Sequence, residues 1–283
     1  MSLAAAQYSG RVQADLWNTR AVDWADHQEP QLHEIYTAVL ASVPQLAGRR
    51  LLDVGCGSGA FLRRAAKHGA AVSGLDAAPG LAAIARRRVP DADIRIGDLE
   101  RLPFERQTFD IVTGINSFPD AADPLAALAE ARRVLHPSGH VVVVTWGRAE
   151  CSDAAAHLAA VEPLLPSVGA ILPHPFALAK PLMLTRLVEA AGFVNAREHQ
   201  VTSTWAYADQ TELLRGLLST GPMVRAVAHS GSHAVSRAVL RAVAPYRDRD
   251  GGYRLRNVFR YVVAQSPSRP APAFRAAATV PAA

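Results

Sequence analysis

Apolar residues recur along this chain with two periods, and the switch between them outlines a fold. From Asp15 to Val43 the positions Leu16, Val22, Leu32, Ile35, Tyr36, Val39 and Leu40 keep helical spacing, with Trp17 and Trp24 on the first helix and Pro30 interrupting. These helices would precede the core as a lid or cap. Strand-like and helical stretches then alternate: Arg50 to Val54, Gly59 to His68, Ala71 to Asp76, Gly80 to Arg88, Asp93 to Ile96 and Phe109 to Gly114. A helix from Pro124 to Leu135 and a strand from His140 to Thr145 follow, with Pro137-Ser138-Gly139 between them as a helix stop and turn. Such alternation predicts an α/β fold, a parallel sheet covered by helices on both faces.

Beyond Arg148 the pattern loosens. Ser152 to Lys180 is rich in alanine, leucine and proline and keeps no sustained period, which suggests an insertion beside a ligand mouth. Regularity returns with a helix from Pro181 to Ala191, a strand from Phe193 to Trp205 broken by a bend, helices over Thr211 to Leu218 and Met223 to Ala244, and a last strand from Tyr253 to Ala264. Two strands that embrace a helical insertion can pair antiparallel. The expected organisation is an N-terminal helical cap over residues 1–48, a main domain over 49–265 with insertions at 152–180 and 206–250, and a disordered tail over 266–283.

Composition narrows the class. Hydrophobic residues make up 49% of the 283 positions and charged residues 19%, as in a soluble globular protein, and no apolar run approaches membrane-span length. No secretory pattern marks the first residues, so a cytoplasmic location is expected. A net charge of +5 raises the question of nucleic acid, but the arginines are dispersed among alanine and acid. The densest cluster, Arg86-Arg87-Arg88, is read as the solvated end of a helix, and no nucleic-acid partner is expected. Cys56 and Cys151 make neither a disulfide framework nor a zinc cluster.

The chemistry concentrates in Leu51-Leu52-Asp53-Val54-Gly55-Cys56-Gly57-Ser58-Gly59-Ala60-Phe61, a buried strand, a glycine turn and a helix start. The glycines let a ligand lie against bare backbone. Gly55-Cys56-Gly57-Ser58-Gly59-Ala60 also satisfies the dinucleotide-binding pattern, and Asp76 stands where that pattern places its ribose acid. Asp53 argues for a different ligand: a carboxylate at the strand end repels a pyrophosphate and suits a cation.

At these residues the chain resembles the class I S-adenosylmethionine-dependent methyltransferases, and within them the small-molecule enzymes of the ubiquinone and menaquinone type (type 11). Asp53 to Gly59 matches the family's first motif, Gly74-Leu75-Asp76 the end of its second strand, and Gly97 to Phe104 the loop after its third. Phe109 to Val112 matches the fourth strand. Glu130 to Gly139 matches the helix and turn before the fifth, with Ser138 in place of the commoner glycine. The resemblance implies a Rossmann-like, doubly wound, mostly parallel seven-stranded sheet. It implies S-adenosylmethionine as cofactor, with S-adenosylhomocysteine as product. Asp76 would meet the ribose, Asp98 the adenine amino group and Leu99 the ring, with Ala77 also among the cofactor-binding residues. Gly55, Cys56, Gly57 and Gly59 would form the turn, and Asn116 and Ser117 would face the methionine end, with Asn116 equally readable as a turn residue.

Trp24 is a further cofactor candidate, because an aromatic face suits a sulfonium. His174, in the Ser152 to Lys180 insertion, is the candidate general base, with His27, His33, His229 and His233 as weaker ones. The acceptor is expected to be a small molecule, a secondary metabolite or quinone-like ring, walled by Ser152 to Lys180 and Trp205 to Arg225. No metal site is evident, and a homodimer stays open. Two other functions also stay open here: a fold relative acting as cyclase or scaffold without methyl transfer, and an NAD-dependent dehydrogenase.

Overall fold

The computed structural model describes residues 10–43, 45–166 and 174–268. Seven strands form one sheet: β1 Arg50–Val54, β2 Ala71–Asp76, β3 Asp93–Ile96, β4 Phe109–Ile115, β5 Leu135–Trp146, β6 Val194–Tyr207 and β7 Tyr253–Gln265. Their spatial order is β3-β2-β1-β4-β5-β7-β6. Neighbours from β3 to β5 pair in parallel, and β7 runs antiparallel between β5 and β6. The seven-stranded, mostly parallel sheet expected from the sequence is therefore present.

Val141 to Val144 shows why the sheet is covered on both faces. Val141 and Val143 pack with Leu52, Val54 and Val112 beneath α6 (Pro124–Val134) and α8 (Met183–Ala190). Val142 and Val144 join Leu51 and Ile111 on the other face, under α3 (His33–Ser42) and α4 (Ala60–Lys67). An uninterrupted apolar run is what a strand buried on both sides requires.

Most boundaries fall where periodicity places them, and the departures have local causes. Pro30 does not interrupt the cap. After α1 (Gly10–Asn18) and α2 (Ala21–Asp23), helical turns continue through Trp24–Gln28 and Glu29–Leu32 into α3, because proline in a first turn forfeits no hydrogen bond. Trp17 and Trp24 consequently sit on different turns.

Pro137-Ser138-Gly139 lies within β5 as a bulge, with Ser138 at φ +62° and a register shift between Phe109 and Ile111 of the partner strand. Gly231, at φ +82°, divides the expected Met223 to Ala244 helix into α10 (Gly221–Ser230) and α11 (Ser232–Val243). The 152–180 stretch contains α7 (Ala154–Val161); its residues 167–173 lie outside the described residues. Ser266 is pinned to the bulge, donating to Gly139 O at 2.8 Å and accepting from Ser138 N at 3.0 Å; of the tail expected over 266–283, residues 269–283 lie outside the described ones.

Arg86-Arg87-Arg88, at the end of α5 (Pro79–Arg88), is not simply a solvated cluster. Arg86 donates to Ile94 O at 2.7 Å, and Arg88 reaches inward to Glu29. No helix among the described residues is long and apolar enough to cross a membrane.

Strand order reverses between β1 and β4. At such a switch point adjacent loops turn to opposite sides and leave a crevice beyond the carboxyl ends of the strands. The glycine turn follows β1 directly at that place.

Candidate functional site

Leaving β1, the chain bends sharply, and the N–H groups of Gly55 and Cys56 both donate to Leu75 O, at 2.7 and 2.9 Å. Gly55 holds φ +75°, and a Cβ there would stand 2.4 Å from Ser117 Cβ. The next bond joins turn to acid: Gly57 N donates to Asp76 Oδ2 at 2.8 Å, while Asp76 Oδ1 accepts from Ala78 N at 2.8 Å. Desolvation pushes the Asp76 carboxyl up to about 6, against the pull of those two amides.

A second acid secures the turn from the cap. Glu29, 2% exposed, accepts Ser58 N at 3.0 Å and the Ser58 hydroxyl, and pairs with Arg88 at 2.8 Å. Burial raises its carboxyl, opposed by the Ser58 bonds and the Arg88 charge. Trp24 stands beside it, close enough that a Cβ on Gly57 would lie 3.4 Å from the indole Nε1.

Two adjoining cavities lie beside this turn and the cap. The first, about 640 Å³ counting its open mouth, is lined by Gly55, Gly57, Asp76, Ala77, Leu81, Leu99, Asn116 and Ser117. The second, about 920 Å³ by the same measure, lies toward β5 and the late helices, with Thr145, Trp146, His157, His174 and Trp205 in its wall. Gln13, Trp17, Trp24, Leu32, Asn116 and Asp120 line both. Trp17 and Trp24 meet edge to face, centroids 4.8 Å apart, within this shared wall.

Eight of the candidate cofactor residues thus converge on the first cavity: Trp24, Gly55, Gly57, Asp76, Ala77, Leu99, Asn116 and Ser117. The other four stand behind it. Asp53 lies beneath the turn, accepting from Thr113 Oγ1 at 2.6 Å, and burial pushes its carboxyl well up. It faces the sheet, so its charge does not front the cleft as the strand-end argument supposed. Cys56 is buried, its thiol likewise raised. Gly59 starts α4 at φ +82°, packed on Ala85. The Asp98 carboxylate accepts from Gly10 N at 2.6 Å and Glu100 N at 2.9 Å, beneath the start of α1.

His174 lines the second cavity, its Nδ1 accepting from Phe176 N at 3.2 Å. His27 and His33 instead stand beside Glu212 and Glu34. Trp205, Leu217, Thr220 and Pro222, from the stretch expected to wall an acceptor, line the second cavity as well.

Sequence reasoning passed over Glu29, Arg88, Asp120, Thr145 and His157. Asp120 carries the one signal that could have found it, its place just past β4 at the carboxyl edge of the sheet. Asp120 is half-buried, and desolvation pushes its carboxyl up to about 7. His157 sits in an alanine-rich helix, and burial lowers its imidazole to about 4.

Four buried polar atoms of these cavities find no partner among the described residues: Trp24 Nε1 and Asn116 Oδ1 in the shared wall, His157 Nδ1 and Trp205 Nε1 in the second. Asn116 also holds φ +56°. Each such atom costs about 1–3 kcal/mol unless something bonds it, so donors and acceptors gathered at one cleft point to a ligand. Among the described residues no group of three or more His, Cys, Asp or Glu could hold a metal ion.

Residues 52–143 match the family described as a methyltransferase domain. The demethylmenaquinone methyltransferase of Renibacterium salmoninarum is 38% identical over 108 residues, 38% of this chain and 46% of that protein. The ubiquinone biosynthesis O-methyltransferase of Xanthomonas oryzae pv. oryzae is 34% identical over 143 residues, 47% of this chain and 60% of that one. The chain thus spans about half the length of these curated relatives.

Among solved structures, phosphoethanolamine N-methyltransferase 2 of Haemonchus contortus, in complex with S-adenosyl-L-methionine, superposes with a TM-score of 0.53 at 20% identity, covering 82% of this chain and 52% of that one. The [4+2]-cyclase SpnF superposes with a TM-score of 0.56 at 21% identity, covering 92% of this chain and 97% of the cyclase. At these identities the likeness establishes the fold. The match to a methyltransferase domain runs from β1 into β5, the stretch that carries the glycine turn and the parallel part of the sheet described above.

Proposed function

We propose that this protein is an S-adenosylmethionine-dependent methyltransferase acting on a small molecule, a secondary metabolite or quinone-like compound, and that it works in the cytoplasm. The observation that carries the reading is the wall of the first cavity. Among the described residues it contains two acids, Asp76 and Asp120, and no lysine or arginine. A dinucleotide would bring two phosphates to a cleft without a cation, whereas a cofactor bearing an ammonium and a sulfonium meets compatible charge.

The residues present fit that cofactor. Each Asp76 oxygen accepts a single backbone N–H, which leaves acceptor capacity on both for a ribose diol. Ala77, Leu81 and Leu99 offer apolar surface for a purine, and the unpartnered Trp24 Nε1 and Asn116 Oδ1 supply a donor and an acceptor toward the second cavity. When bound, S-adenosylmethionine supplies an electrophilic methyl together with its own leaving group. The chain's part is to position an acceptor and exclude water, and the aromatic second cavity provides both.

Names carried by the relatives support a small-molecule acceptor, since the two cited above are named for quinone biosynthesis. We assign proton removal from an acceptor to His174 or Asp120, which both line the second cavity. The test is calorimetry with S-adenosylhomocysteine and with NAD, followed by incubation of methyl-labelled cofactor with a metabolite panel and mass spectrometry. Binding of the first ligand and a product heavier by one methyl are expected. Binding of NAD alone, or a product of unchanged mass, would overturn the reading.

A further inference from the structure

The second cavity has a composition that reads as a recognition element. All four tryptophans of the chain line it: Trp17 on α1, Trp24 after α2, Trp146 at the end of β5 and Trp205 on β6. Residues from four segments of the chain meet around one space. Among the described residues no lysine or arginine lines that space, and Asp120 is its one carboxylate. Gln13 bonds the Asp120 main-chain oxygen at 3.2 Å, and no donor among the described residues reaches the carboxylate itself. Burial keeps His157 neutral, its imidazole lowered to about 4, so it brings no positive charge to this wall.

The Asp120 carboxylate, with no cationic Lys or Arg beside it among the described residues of this wall, gives the cavity a negative side. Such a cavity disfavours a carboxylate- or phosphate-bearing acceptor and favours a cation carried on an apolar body. We propose that the methyl acceptor is an apolar, ring-bearing molecule with a protonated amine, and that Asp120 is the counter-ion that binds this ammonium at the junction of the two cavities. The inference rests on the methyltransferase reading and narrows it.

The same contact does chemistry on a proton. An ammonium N–H passes its proton to an Asp120 oxygen, and a neutral amine with a free lone pair and a neutral carboxylic acid result. Desolvation already holds this carboxyl at about 7, nearer to an amine's range than an ordinary aspartate, so the transfer is less uphill.

The test is calorimetry on the full chain with three probes of one shape: 2-phenylethylamine, 2-phenylethanol and 3-phenylpropionate. S-adenosylhomocysteine binding is measured alongside. In the wild type the amine should bind at least about tenfold more tightly than the alcohol, the size expected of a charge-assisted bond, and the propionate should bind most weakly. In Asp120→Asn the amine should lose that advantage while alcohol binding, retained, reports an intact fold. Equal amine and alcohol affinity in the wild type would overturn the proposal without need of the variant. An unchanged amine preference in Asp120→Asn would also overturn it, as would a variant that loses S-adenosylhomocysteine but not the amine, since the carboxylate would then serve the cofactor. Failure of S-adenosylhomocysteine to bind the wild type would instead remove the methyltransferase reading beneath it.

Discussion

Glu29 and Ser58 join the N-terminal cap to the glycine turn: a carboxylate 29 positions upstream accepts both the backbone N–H, at 3.0 Å, and the hydroxyl of Ser58. Arg88 closes the arrangement by pairing with the same carboxylate at 2.8 Å. The turn is thereby held from above by the cap and from below by Leu75 and Asp76.

Glu29→Ala should lower stability by about 3 kcal/mol, because it strands Arg88 and leaves a buried amide unpaired. S-adenosylhomocysteine affinity should fall with it, as the turn loses its upper support. Glu29→Gln should recover part of the stability by keeping an acceptor for Ser58. Urea denaturation and calorimetry on the two variants check this; equal behaviour of Ala and Gln would show that the hydrogen bonds contribute nothing.

Gly55→Ala tests the turn directly. The added Cβ would lie 2.4 Å from Ser117 Cβ, on a backbone at φ +75° that L-residues rarely adopt. Destabilisation of about 1–3 kcal/mol is expected. Ligand binding should drop about tenfold or more, because Gly55 and Ser117 both line the first cavity. A variant with wild-type affinity would remove the turn from the site.

Asp76 should give the protein a pH signature. Its folded value of about 6 lies above the ordinary 3.8, so the folded chain holds this proton more tightly than the unfolded one. The resulting stabilisation is full below 3.8 and is lost as pH rises through 6, a change of about 3 kcal/mol. A ligand whose hydroxyls donate to the carboxylate selects the ionised form. S-adenosylhomocysteine affinity should therefore rise between about pH 5 and pH 7, and Asp76→Asn should flatten that rise and weaken binding. Asp120→Asn should leave the step near 6 in place, which separates the two acids of the cleft.

His157 works in the opposite sense. Buried without a partner for Nδ1, it holds a folded value near 4 against 6.5 when unfolded. Its neutral form contributes full stability above 6.5, and about 3 kcal/mol is lost as pH falls toward 4. His157→Gln should lose less stability between pH 7 and pH 4.5 than the wild type. Urea midpoints at the two pH values decide it; identical losses would show that another group carries the acid limb.

Alternation outlined the sheet strands from β1 to β4: β1 and β4 are short, largely buried apolar runs bounded by turn residues, and the exposed edge strand β3 was legible from its place in the alternation. The glycine turn and Asp76 were equally legible, since a tight bend against a ligand requires those residue types in that order. Local sequence failed where the outcome depended on distant partners. Pro30 looked like a break, yet the cap passes through it, and Ser138 looked like a turn, yet Ser266 zips the bulge into β5. Asp53 illustrates the limit most clearly. Its position at a strand end was readable, but which way its carboxyl points was settled by Thr113 on the neighbouring strand, 2.6 Å away.

The second cavity is likewise a product of tertiary structure. Its four tryptophans, Asp120 and His157 are scattered from position 17 to 205, with no spacing that links them. Burial then sets their chemistry, raising one acid and lowering one imidazole by removing the water that would have equalised them. The sequence determined the glycine turn at the end of β1, because that bend is made by consecutive residues. Only the fold decided what stands opposite it, because that wall is assembled from side chains that meet nowhere but in three dimensions.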